Sequence, residues 1–115
     1  MSVKVILVDD SPERTREATA HLGALGYDVQ VAPTAQDALK QLSSDSAQLL
    51  VTHWYLEDML LHDFAEHAKH VNGDCAFLVY FENGPEARPR GVDDPYVDSF
   101  FPFNHLPKAL VAHPN

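Results

Sequence analysis

The segment Val3-Lys4-Val5-Ile6-Leu7-Val8 is apolar at almost every position and runs straight into Asp9-Asp10-Ser11-Pro12. A strand that is apolar on both faces must be covered on both, as is a central strand of a parallel sheet. A helix-start signal follows at once, with Asp10 or Ser11 as the cap and Pro12 at the first helical position. Parallel strands are joined only by crossovers, so this strand-then-helix junction reads as the first unit of an alternating α/β chain. The junction also sets two like charges side by side at the C-terminal end of the strand. Adjacent carboxylates repel and usually persist because a cation sits between them, most often Mg²⁺.

The alternation continues to the end of the chain. From Pro12 to Leu25, the residues Ala18, Leu22 and Leu25 fall on one helical face, and Gly26 supplies a left-handed cap. Val29 and Val31 alternate with polar residues, as in a half-exposed edge strand. Thr34 caps a second helix carrying Ala35, Ala38, Leu39 and Leu42, and Ser43-Ser44-Asp45-Ser46 reads as a loop. Leu49–Thr52 is a third, buried strand; Leu60, Leu61, Phe64, Ala65 and Ala68 line a third helix; Asn72-Gly73-Asp74 is a turn. Ala76–Phe81 is a fourth strand and Tyr96–Phe101 a fifth, and Leu106, Ala109 and Leu110 mark a last helix. Between strands four and five, Glu82–Gly91 carries two prolines and two glycines, which makes the fourth helix short or irregular. The fold class is α/β: a flavodoxin-like (βα)5 doubly wound parallel sheet of strand order 2-1-3-4-5, in one domain over residues 1–115. In that order the crevice lies at the C-terminal ends of strands one and three, with Asp9 and Asp10 on one lip and His53 on the other.

Composition narrows the function. The chain of 115 residues has a formal net charge of −9, which opposes binding to nucleic acid or to an anionic membrane surface. Its one cysteine, Cys75, excludes an internal disulfide and fits a reducing cytoplasm. The chain shows no signal peptide, and no apolar run reaches the ~20 residues of a membrane span. No nucleophile–base pair for hydrolytic catalysis is apparent, so the expectation is a protein that is not an enzyme.

With these residues placed, the chain resembles the receiver domain of bacterial two-component response regulators along its whole length. The resemblance rests on the acidic pair Asp9-Asp10, on Asp58-Met59 in register with the loop after the third strand, and on Phe101-Pro102-Phe103 after the fifth. In that family a phosphoacceptor aspartate ends strand three, a hydroxyl residue ends strand four, and a lysine followed by a cis proline ends strand five. The resemblance places His53 at the phosphoacceptor, Tyr80 at the hydroxyl, Phe101 at the lysine and Pro102 at the cis proline. Lys108 lies too far along the last helix to replace the missing ammonium. The family's chemistry is aspartyl phosphorylation assisted by Mg²⁺, and it needs a carboxylate nucleophile, a held metal and a cation. This chain therefore reads as a pseudo-receiver, lacking the phosphoacceptor and requiring no cofactor. Asp9 and Asp10 alone would hold a divalent ion only weakly.

Other readings stay open at this level. His53 with Asp9 and Asp10 would suit Zn²⁺ or Mn²⁺ better than Mg²⁺, but an imidazole hydrogen-bonded to one carboxylate is simpler. The helical pairs Asp63/His67 and Glu66/His70 read as a solvated face rather than a metal site. The family's switch aromatic falls at Asp98, and a Tyr80–Asp98 hydrogen bond would freeze the switch. Phosphorylation-independent contact with a protein partner or a second copy is expected through strand five and the last helix, with Tyr96, Phe100, Phe103 and His105 on the contact surface. Trp54 and Tyr55, on the loop after His53, offer a second aromatic patch. The alternative is a receiver still regulated by a metal, or phosphorylated by a non-standard route through Asp9, Asp10 or Asp58.

Overall fold

The computed structural model describes residues 3–44, 47–83 and 94–106. Strand β1 (Lys4–Val8) leads to helix α1 (Pro12–Ala24), β2 (Asp28–Ala32), α2 (Ala35–Ser44), β3 (Leu49–His53), α3 (Leu61–Val71), β4 (Ala76–Phe81) and β5 (Ser99–Pro102), followed by a 3-10 turn over Phe103–His105. The five strands form one parallel sheet in the order β2-β1-β3-β4-β5, as the alternation implies. Within residues 84–91 the expected irregular fourth helix lies outside the described residues, as do Ala109 and Leu110 of the last helix and Lys108. Among the described residues no helix is long and apolar enough to cross a membrane.

Strand alternation divides the core in two. Ile6, Val8, Leu50, Phe77 and Val79 face α2 and α3, where Ala38, Leu42, Phe64 and Ala65 cover them. Val5, Leu7, Leu49, Val51, Leu78 and Tyr80 face the other way, against Ala18 and Leu22 of α1 and against Phe101, Phe103 and Leu106. The sheet's middle strands are buried on both sides, which explains their unbroken apolar runs.

Local signals act largely as read. The Ser11 hydroxyl accepts from Arg14 N, so Ser11 rather than Asp10 caps α1. Gly26 takes a φ of +88°, the left-handed conformation that ends the helix. Leu25 is a correction: it is the C-cap, beyond the buried face, and is exposed. Strand five is shorter than expected. Asp94 accepts from Tyr96 N through its side chain and from Val97 N through its carbonyl, so Asp94-Pro95-Tyr96-Val97 is a turn and pairing begins at Ser99. The cis proline expected at Pro102 is also corrected. No cis peptide bond occurs among the described residues; Pro102 lies at the end of β5 with φ −70° and ψ 150°, where the ordinary trans amide continues the extended chain.

Candidate functional site

The site forms where the C-terminal ends of β1, β3 and β4 meet the first turn of α1. Asp9, the residue after β1, is buried and accepts from four donors. Its Oδ1 takes Ser11 N at 3.0 Å and Arg14 Nη2 at 3.0 Å; its Oδ2 takes Arg14 Nε at 2.8 Å and the Tyr80 hydroxyl at 2.5 Å. A carboxylate offers about four lone-pair sites, so Asp9 is saturated. Burial pushes its pKa up, but the bonds from Arg14, Tyr80 and Ser11 together outweigh burial and hold the carboxyl below its ordinary value. The bond to Asp9 raises the Arg14 pKa in turn. Burial, followed by the Asp9 charge and hydrogen bond, pushes the Tyr80 phenol far up, so its hydroxyl remains a donor.

His53 ends β3 with both ring nitrogens engaged. Nδ1 lies 2.9 Å from the Tyr55 carbonyl and Nε2 lies 2.7 Å from Glu82 Oε1. The second Glu82 oxygen accepts from the Trp54 indole at 3.0 Å, and Arg14 Nη1 approaches Oε1 at 3.9 Å. Burial raises the Glu82 pKa, yet its own backbone N–H, Trp54 and His53 outweigh that and lower it. Asp9, Arg14, Glu82 and His53 thus form one chain of alternating acids and bases closed by Tyr80, whose ring lies 5.7 Å from that of His53.

Mg²⁺ does not fit these residues. The guanidinium already holds the carboxylate that a metal would need, and His53 offers no oxygen. Asp10 is half-exposed, with its Oδ1 3.9 Å from Arg14. Asp58 lines a pocket together with Asp10, Thr34 and Glu57, but its two oxygens are turned to α2, accepting from Ala35 N at 3.1 Å and Gln36 N at 3.0 Å. No cluster of His, Cys, Asp and Glu that could hold a metal occurs among the described residues. The Cys75 thiol, buried at the entry to β4, is pushed up to about 11 by burial and is a core residue.

The remaining expected positions are only partly brought together. Phe101 pairs in register with Tyr80 and is buried. Asp98 does not meet Tyr80: register sets it beside Phe77, three positions and about 10 Å away along β4. There it accepts from Phe77 N at 2.7 Å and from Lys69 Nζ at 2.7 Å. Phe103 leaves the expected contact surface, because the 3-10 turn aims it inward and its ring lies 5.0 Å from that of Tyr80. Phe100 stacks on Phe81 and is partly buried, as is Tyr96, whereas His105 is exposed. Arg14 and Glu82 were not singled out from the sequence. The available signal was position: Arg14 lies in the first turn of the helix that follows the acidic pair, and Glu82 is the first residue after β4.

Solved structures share this architecture. A signal receiver domain of an HD domain-containing protein from Pseudomonas fluorescens superposes with a TM-score of 0.81 at 16% identity, over 96% of this chain and 85% of that one. The chemotaxis response regulator CheY4 of Vibrio cholerae gives 0.78 at 20% identity, over 97% and 98%. The fold is that of a signal receiver domain. A response regulator protein from Burkholderia pseudomallei, which carries a phosphorylated aspartic acid and a calcium ion, has the same receiver fold with a TM-score of 0.77 at 16% identity, over 96% of this chain and 65% of that one. No protein-family model matches the sequence, and neither does any curated protein.

Proposed function

We propose that this chain is a pseudo-receiver: a signal-transduction module that works in the cytoplasm by binding other proteins, without phosphorylation and without catalysis of its own. What carries the reading is Arg14. Its guanidinium spans both oxygens of Asp9 and approaches Glu82, so the charge that a metal would supply comes from the chain itself. At the phosphoacceptor position, His53 has its two nitrogens turned to Tyr55 and Glu82, and neither is free to attack a phosphoryl group. An aspartyl phosphate needs a nucleophilic oxygen and cations around the transferred group. Here Asp9, Glu82 and Asp58 are already hydrogen-bonded.

The test is incubation with acetyl phosphate, or with beryllofluoride, in the presence of Mg²⁺. The intact mass should not change, and the amide spectrum around residues 9, 53 and 82 should stay where it was. A single added phosphoryl group that disappears in Asp10→Asn would establish the alternative route through the acidic pair.

A further inference from the structure

The loop between β3 and α3 exposes apolar surface that the fold does not use. Leu60 is 75% exposed and Tyr55 54% exposed, the two most exposed large hydrophobic residues among those described. Leu60 stands at the N-cap of α3, where a Ser, Thr, Asp or Asn would satisfy a backbone N–H, and it makes no side-chain cap bond. Both residues line one groove of 370 Å³, with Met59 between them and Glu57, Asp58 and Asp63 around it. No Lys, Arg or His lines it among the described residues. The loop is held from beneath. Leu56 is buried and bridges to Met59, Asp58 is tied to α2, and the Tyr55 carbonyl is bound by His53. A preformed groove spares a partner the cost of ordering it.

We propose that this groove docks a basic amphipathic segment of a partner protein, a large apolar side chain entering between Tyr55 and Leu60 while Lys or Arg residues meet the acidic rim. The inference rests on the interaction reading above and gives that module its contact face. Charge selects the partner: the rim is wholly acidic and the chain carries −9 overall, so an acidic segment is repelled and a basic one steered in. Lys and Arg add their aliphatic stems to the apolar contact.

The experiment titrates the isotope-labelled full chain with three synthetic peptides of equal length: a Leu/Lys amphipathic helix, a Ser/Lys peptide of the same charge, and a Leu/Glu helix. Shifts with Leu/Lys should cluster at residues 55–63, Ser/Lys should bind at least about tenfold more weakly, and Leu/Glu should not bind. The double variant Tyr55→Ser, Leu60→Ser should weaken Leu/Lys binding about tenfold and leave the melting temperature nearly unchanged, since both side chains are exposed. Equal binding of Ser/Lys overturns the groove in favour of diffuse charge attraction, and a spectrum that none of the peptides perturbs overturns it outright. Shifts clustered at Tyr96, Phe100 and His105 overturn the groove but leave the interaction reading standing. Phosphoryl transfer to the chain overturns the phosphorylation-independent reading without touching the groove.

Discussion

Asp9 is where burial and charge come closest to conflict. Its side chain is fully shielded from solvent, while that of Arg14 keeps 28% of its surface exposed. An unpaired carboxylate in that position would be costly, and two bonds from the guanidinium relieve it. Arg14→Met removes both and leaves only Ser11 N and the Tyr80 hydroxyl. The expected loss is about 2 kcal/mol, read from the midpoint of urea unfolding, below the full cost of breaking a buried pair because Arg14 is partly solvated. Adding Asp9→Asn takes away the charge: the amide oxygen still accepts from Ser11 N, and the amide N–H donates to the Tyr80 hydroxyl, whose oxygen can accept. The double variant should therefore be more stable than Arg14→Met alone, and a double variant of lower stability would mean that the guanidinium acts by packing and not by charge.

Helix α2 shows how an element can be completed from a distance. Thr34 Oγ1 accepts from Asp37 N at 3.1 Å and the Thr34 carbonyl accepts from Ala38 N, as a sequence-local cap should. The amides of Ala35 and Gln36 are left over, and Asp58 takes both from the β3–α3 loop. Asp58→Ala should cost about 1 kcal/mol in thermal or denaturant unfolding, with the largest increase in amide exchange at residues 35 and 36. Unchanged exchange at those two amides would count against the cap. The contrast also shows what the sequence makes legible. Thr34, Ser11 and Gly26 act on their own neighbours and can be read directly, as can the apolar runs of β1, β3 and β4. The resemblance gives Asp58 its register in the loop after β3, but its work lies 23 residues away and leaves no local trace. The apolar Tyr96-Val97 looked like strand because period alone cannot see that Asp94 and Pro95 close a turn beneath them.

Across the whole molecule, the strand order followed from alternation and handedness, and the place of His53 at the crevice followed from the apolar run that it ends. What fills the crevice did not, because Arg14–Asp9–Tyr80 and His53–Glu82 join elements that only the closed sheet brings together. The same long-range pairs set how stability responds to pH. Asp9 and Glu82 have folded pKa values lowered from the usual carboxylate range, so what they contribute is present above about pH 4 and is lost as pH falls through the lower folded values. His62 works in the opposite sense. Its Nδ1 meets Asp94 Oδ2, tying the start of α3 to the turn before β5, and the Asp94 hydrogen bond raises its pKa. That contribution is complete below about pH 6.5 and is lost as pH rises through the raised folded value. Melting temperature should therefore peak between about pH 5 and pH 6.5 and fall on both sides. In His62→Gln the alkaline fall should flatten while the acid limb keeps its shape, and because the His62 ring is solvent-facing, high salt should shrink the difference between the two proteins. An alkaline limb that is the same in both would mean that the tie between α3 and the β5 turn does not depend on the charge of His62.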